Sequence, residues 1–246
     1  MTPDCTLYQI AYSPWSEKAR WALDHHRIHC PYVEYLPMVG EPLMRLKLGR
    51  WRGKITVPLL VGDGWHLMDG HDIACWADEH GRGDSLRAKD AEVTQWSDLS
   101  NTMLAAGRAR TTERVAQSDA ALLESVPKPI NAIGKLSLPV GKYGARYLRR
   151  KYNFDEATSN QHLETLEQGC QSLRDALAGG DYLCGDFSFA DVAMAVALTF
   201  VKPRDDHRIG PESRPRWSEP TICADYPELL EWREAMYAKH RRGYPS

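Results

Sequence analysis

The stretch Tyr12-Ser13-Pro14-Trp15-Ser16-Glu17-Lys18-Ala19-Arg20-Trp21-Ala22-Leu23 reads as the turn out of a strand and the opening of a helix. Upstream, Thr6, Leu7, Tyr8, Gln9 and Ile10 form a short strand-like run between Cys5 and Ala11, which Ser13-Pro14 breaks. Downstream, Ser13 or Ser16 can cap a helix and Glu17 falls in its first turn. Ala19, Trp21, Ala22 and Leu23 then begin a helical apolar pattern that fades at His25-His26-Arg27. Backbone N–H groups at such a helix start point outward, and the helix dipole favours an anion there. A serine hydroxyl at that point can donate to a bound thiolate and hold the sulfur ionised near neutral pH. The plain alternative is that Ser13 only ends a strand and Ser16 only caps a helix.

Working outward, Tyr32 to Leu36 is a second strand and Leu43 to Leu48 a short helix. Val57 to Val61 and Trp65 to Met68 are two strands joined by Gly62-Asp63-Gly64, and Asp-Gly between apolar runs is a strong hairpin signal. Ile73, Ala74, Trp76 and Ala77 give one helical face before Gly81-Arg82-Gly83-Asp84 ends the unit. The order β-α-β, α, β-β-α predicts a thioredoxin-like α/β domain over residues 1–81.

The remainder, residues 88–246, predicts an all-α domain. Val93, Trp96, Leu99, Met103 and Leu104 mark one helical face, and Leu163, Leu166, Cys170, Leu173 and Leu177 another. Pro127, Pro129, Gly134, Pro139 and Gly141 predict a long loop over 126–142, and the prolines from Pro203 to Pro220 an ordered, extended connection. Ser188 and Asp191 place a cap and an acid at the start of a buried helix, and a last amphipathic helix runs from Tyr226 to His240.

At 246 residues the chain is comfortable for two domains, and its 43% apolar and 26% charged residues match an ordinary globular protein. A net charge of -2 supplies no global field for nucleic acid or an anionic membrane surface. The basic cluster Arg146, Arg149, Arg150 and Lys151 reads as a solvated helix face. The six cysteines have no zinc-like spacing, and His25, His29 and Cys30 lack further ligands, so no metal is expected. No basic-then-apolar leader opens the sequence and no apolar run reaches membrane length, which points to a cytoplasmic protein.

The opening segment resembles the first strand-to-helix turn of the cytosolic glutathione transferases, in which a Ser, Cys or Tyr contacts the glutathione sulfur. Ser13-Pro14 is similar to the turn of the serine-type, tau-like classes, in a bacterial-like setting. Three further places match in order. Thr56-Val57-Pro58-Leu59-Leu60 resembles the family's Val-Pro-x-Leu, where a cis-proline leaves the preceding backbone free to pair with the cysteinyl part of glutathione. Asp69-Gly70-His71-Asp72-Ile73 falls where the family has Glu-Ser-x-x-Ile. There Asp69 can meet the γ-glutamyl ammonium, while Gly70 offers the carboxylate only its N–H. Gly185-Asp186-Phe187-Ser188-Phe189-Ala190-Asp191 is similar to the family's capping box and hydrophobic staple. Two of these segments also have a plainer reading: Pro58 can open an edge strand, and Asp69 can cap a helix.

The resemblance implies a glutathione-transferase fold and a detoxifying enzyme that activates the thiol of glutathione, its co-substrate, against a hydrophobic electrophile. Ser13 is then the catalytic hydrogen-bond donor. Ser13, Lys54, Val57, Pro58, Asp69 and Gly70 bind glutathione, with Lys54 near its glycine carboxylate. Tyr12, Trp15, Trp96, Met103 and Arg108 line the acceptor pocket. Two-fold homodimers are implied as well. Glutathione-dependent peroxidase or reductase chemistry on the same site is an alternative, as is a binding or scaffold protein that kept the fold. Disulfide exchange is disfavoured, because serines occupy both ends of Ser13-x-x-Ser16.

Overall fold

Strand β1 (Cys5–Gln9) sits inside a four-stranded mixed sheet of order β2-β1-β3-β4. It pairs in parallel with β2 (Tyr32–Glu34), Leu7 opposite Tyr32, and antiparallel with β3 (Leu59–Gly62), Tyr8 opposite Leu59. The chain reverses through Asp63-Gly64 into β4 (Trp65–Met68), with Gly64 at φ 75°, the left-handed backbone that this tight turn requires. The computed structural model describes residues 4–36, 40–126, 130–152 and 159–242.

Consecutive Leu59 and Leu60 are both fully buried, so both faces of the sheet are covered. Helix α1 (Pro14–His25) follows β1, α2 (Gly40–Leu48) follows β2, and α3 (Gly70–His80) follows β4. Met44 of α2 joins Tyr8, Tyr35, Ile55 and Leu59 in one core cluster. α1 and α3 pack on each other, burying Trp21, Ala22, Ile73, Ala74 and Ala77, and His26 meets Asp78 at 2.8 Å. The thioredoxin-like reading of this half holds. β3 starts at Leu59 rather than Val57, since Pro58 has no N–H to give the ladder.

Beyond α3 the described residues form helices: α4 (Ala91–Ala116), α5 (Asp119–Ser125), α6 (Leu138–Tyr152), α7 (Ser159–Leu177), α8 (Phe189–Ala197), α9 (Pro220–Asp225) and α10 (Pro227–His240). The long loop expected over 126–142 is instead a 3₁₀ segment, Ile130–Ser137, kinked at Gly134 with φ 58°, running into α6. Pro139 stands in the first turn of α6, where a missing N–H is harmless. Gly141 does not break that helix; a Cβ there would come 2.8 Å from the Leu122 carbonyl, so glycine lets α6 approach α5. Pro127 and Pro129 lie outside the described residues.

The 203–223 connection is held by Arg214 within it and by Glu124 of α5. Arg214 donates to the carbonyls of Arg204, Asp205 and His207, and Glu124 accepts from the N–H groups of Glu212 and Ser213. α8 starts at Ser188, whose N–H and hydroxyl both donate to Asp191 Oδ2 at 2.8 and 3.1 Å, while Leu183 N–H takes Oδ1 at 2.9 Å. Asp191 thus fills the acid's half of the capping box read from the sequence.

The chain divides into two compact units. One comprises Met1–Asp98, Gly180–Val196 and Glu234–Ser246; the other comprises Leu99–Gly179 and Ala197–Arg233. Among the described residues no helix is long and apolar enough to cross a membrane.

Candidate functional site

The geometry at the head of α1 separates its two serines. Ser13 is the N-cap residue, in extended backbone, and its carbonyl accepts the Glu17 N–H at 3.0 Å. Its N–H closes the turn onto the Ile10 carbonyl at 3.0 Å, and its hydroxyl makes no cap bond. Pro14 follows at the first helical position, where its fixed φ suits the helix. Ser16 is the structural member of the pair, fully buried, with its hydroxyl accepting the Ile10 N–H at 3.2 Å. The turn is thus tied from inside by Ser16, while Ser13 keeps a half-buried hydroxyl beside the positive end of a 12-residue helix.

The sheet register brings other predicted residues to the same end. Tyr8 faces Leu59, so the exit of β1 toward Ser13 lies beside the entry to β3, just after Val57 and Pro58. The Val57–Pro58 peptide is cis. Leu59 faces Met68, and the Asp69 N–H reaches the Pro58 carbonyl at 3.4 Å. The Ser13 turn, the cis-proline and Asp69 therefore share the end of the sheet from which α1 and α3 start.

Asp69 is the N-cap of α3: its Oδ1 accepts the His71 N–H at 2.8 Å, at a backbone φ of 92°. The capping role weighed from the sequence is present. Gly70 is buried against α1, where an added Cβ would lie 3.1 Å from Lys18 Cβ, 3.4 Å from the Trp15 carbonyl and 3.6 Å from the Ala19 nitrogen. Lys18 is fully buried beneath this contact. Burial pushes its ammonium down from the usual 10.5 to about 8, against the opposing pull of the Asp69 and Asp98 carboxylates.

Lys54 is exposed on the segment leading to Pro58, as are Arg50 and Arg52. Tyr12 is exposed, and Trp15 and Trp96 are half-buried in the unit that holds the sheet. Met103 and Arg108 belong to the other unit, where Met103 is fully buried with its sulfur against Gly169 of α7. The structure describes these two sets within their own units.

Sequence reasoning passed over the polar network under the turn. Arg20 donates to the Ala11 carbonyl at 3.0 Å, to Gln9 Oε1, and to Glu17 Oε2 at 2.7 and 2.9 Å. Burial raises the Glu17 carboxyl, but Arg241 and Arg20 outweigh it and hold it below the ordinary carboxylate range. The signal available was Glu17 and Arg20 three apart on one helix face. Nothing local announces Arg241, more than 200 residues away.

Residues 12–80 match the family model for the glutathione S-transferase N-terminal domain, and residues 155–235 that for the C-terminal domain. Against curated protein sequences the chain finds no match. Among solved structures it is similar to a glutathione S-transferase from Methylobacillus flagellatus KT with glutathione bound, at 19% identity, TM-score 0.60 and 96% of each chain. It is also similar to a glutathione transferase family member from Pseudomonas fluorescens Pf-5 with bound S-(propanoic acid)-glutathione, at 17% identity, TM-score 0.57, and 96% and 93% of the two chains. Leishmania TDR1, a trimeric glutathione transferase, matches at 16% identity and TM-score 0.61; 96% of this chain spans 44% of that one. The sheet order and helical half agree with what the two family models, together covering more than half of the sequence, establish: this chain belongs to the glutathione S-transferase family.

Proposed function

We propose that the protein is a serine-type glutathione transferase, which ionises the thiol of glutathione at Ser13 and directs it at a hydrophobic electrophile. One observation carries the reading: Ser13 stands at the N-cap of α1 with its hydroxyl making no cap bond, so the hydroxyl can donate to an anion at the helix start. A free thiol ionises near pH ~8.5, and each unit of depression needs about 1.4 kcal/mol of preference for the anion. One charge-assisted hydrogen bond together with the helix dipole supplies that amount. The thiolate attacks the electrophilic carbon, the new C–S bond forms as the leaving group departs with the bonding pair, and Ser13 remains chemically unchanged.

The rest of the tripeptide follows the same end of the sheet. The Val57 backbone before the cis-proline pairs with the cysteinyl part, Asp69 meets the γ-glutamyl ammonium and the Gly70 N–H its carboxylate. Lys54 takes the glycine carboxylate. Tyr12, Trp15 and Trp96 offer apolar surface to the electrophile. The glutathione-bound relatives support this choice of co-substrate. The homodimer is supported by exposed Leu43, Leu46 and Trp51 on and after α2, and a cytoplasmic setting by six free thiols.

Calorimetry with glutathione at millimolar concentration, followed by conjugation of a chloronitrobenzene, tests the reading. Heat of binding together with product supports it. Absence of both would leave a scaffold with the fold alone.

A further inference from the structure

Arg241, just past the end of α10, reaches back onto α1 with a side chain that is 1% exposed. Its Nε donates to Glu17 Oε1 at 2.7 Å and its Nη1 to Asp24 Oδ2 at 2.7 Å, the two carboxylates standing about two turns apart on the same helix. The guanidinium lies 5.8 Å from the Trp21 ring, which also meets Tyr237 edge-on at 4.5 Å. Glu17 is therefore a bridge: Oε1 belongs to Arg241, and Oε2 to Arg20. Arg20 in turn holds the Ala11 carbonyl at 3.0 Å, two residues before Ser13. A continuous chain of charge-assisted bonds runs from the C-terminal segment to the backbone that aims the Ser13 hydroxyl.

Stability alone is a poor reason to bury two arginines and the Glu17 carboxylate here. Desolvating such groups offsets most of their attraction, and apolar residues of similar volume often serve as well. What the fork of an arginine adds is direction, since its donors are fixed in one plane. Ser13 needs direction, because a donor to a thiolate loses its effect when displaced by about 1 Å.

We infer that Arg241 is a positioning residue for the Ser13 turn, acting through Glu17 and Arg20. The inference rests on the glutathione reading for its catalytic consequence and on the turn's own hydrogen bonds for its structural one. In Arg241→Met the Glu17 carboxylate keeps only Arg20, Arg20 is held less firmly on the Ala11 carbonyl, and the turn loosens.

Two readouts test this on the full chain. The first is ultraviolet thiolate absorbance of bound glutathione against pH, taken with kcat and KM. Arg241→Met is expected to raise the thiol pKa and lower kcat about 10- to 100-fold, with KM for glutathione changed far less. Glu17→Gln is expected to do the same, and Arg241→Lys, which keeps the charge without the fork, to recover only part. The second readout needs no glutathione. Hydrogen exchange at the Ile10, Ser13 and Glu17 amides, which close the turn, should accelerate in Arg241→Met while the amides of β3 keep their rates.

Wild-type thiol pKa, kcat and exchange in the folded variants, with only a lower Tm, would overturn the inference. Should Arg241→Met fail to fold, Arg241→Lys is read by the same measurements, and wild-type values in it are equally fatal. If wild-type protein shows no glutathione thiolate yet exchange at the three amides still accelerates in the variant, the positioning role stands and the glutathione reading falls.

Discussion

Gly70 and Lys18 lie so close that a methyl group added to the glycine would sit 3.1 Å from the lysine Cβ. Lys18 Cβ is fixed to the buried face of α1, so the neighbour cannot swing aside as a side-chain tip would. The absence of a hydroxyl at position 70 is thereby tied to how tightly α1 and α3 approach, and glycine is the residue that permits it. Gly70→Ser is expected to destabilise the protein by about 1–3 kcal/mol through overpacking, and not to tighten glutathione binding. Urea denaturation and calorimetry on the same preparation check both parts; a variant as stable as wild type that binds more tightly would contradict them.

Lys18 gives the alkaline side of the stability profile a specific sign. Its folded pKa of about 8 lies below the ordinary 10.5, so between those values the unfolded chain holds a proton that the folded chain has released. Stability contributed by this group therefore rises with pH across that window, by an amount on the order of 3 kcal/mol. Below about pH 8 both states are protonated and the full burial penalty applies. Cys30, half-buried, and Tyr32, whose pKa values are both raised chiefly by desolvation, work in the opposite direction, so the comparison must be a difference. Wild type minus Lys18→Met, followed by urea midpoints from pH 7 to 10.5, should show the rise; a flat difference would mean that the ammonium is not desolvated.

The two serines of the first turn should part company on mutation. Ser13 makes no cap bond, so Ser13→Ala is expected to change stability by less than the ~1 kcal/mol of an ordinary lost cap, while conjugation falls about 100-fold. Ser16 accepts the Ile10 N–H inside the protein, so Ser16→Ala strands a donor and costs about 1–3 kcal/mol. Thermal melts beside a conjugation assay decide the matter. A Ser13→Ala protein as fast as wild type would place the sulfur contact elsewhere.

Which of these features the sequence could disclose depends on how far apart in the chain the partners lie. The Ser13 turn, the Asp63-Gly64 hairpin and the Ser188–Asp191 cap are written in runs of a few residues, and each has a chemistry legible in place. Gly134, Pro139 and Gly141 suggested a loop because local rules treat such residues as breakers. Here one permits a kink, one starts a helix, and the last admits the Leu122 carbonyl of a neighbouring helix. Lys18 carries no local sign of burial, because it is the approach of Gly70 in α3 that closes over it. Arg241 had no local pattern at all, because its partners Glu17 and Asp24 stand at the other end of the chain.

Asp191 offers the sharpest test of whether the cap at α8 nucleates the fold around it. It is fully buried and accepts three bonds, from the Leu183 N–H, the Ser188 N–H and the Ser188 hydroxyl. Asp191→Ala leaves two buried backbone donors unsatisfied and removes the charge that complements the helix start, for an expected loss of about 3–5 kcal/mol. Asp191→Asn retains one acceptor oxygen and should fall between alanine and wild type. Because a native domain is stable by only about 5–15 kcal/mol, the alanine variant should lose much of its resistance to urea and expose tryptophan at a far lower midpoint. If its midpoint moved by no more than a surface substitution would move it, water must be satisfying those donors, and the start of α8 would not be the anchor that its geometry describes.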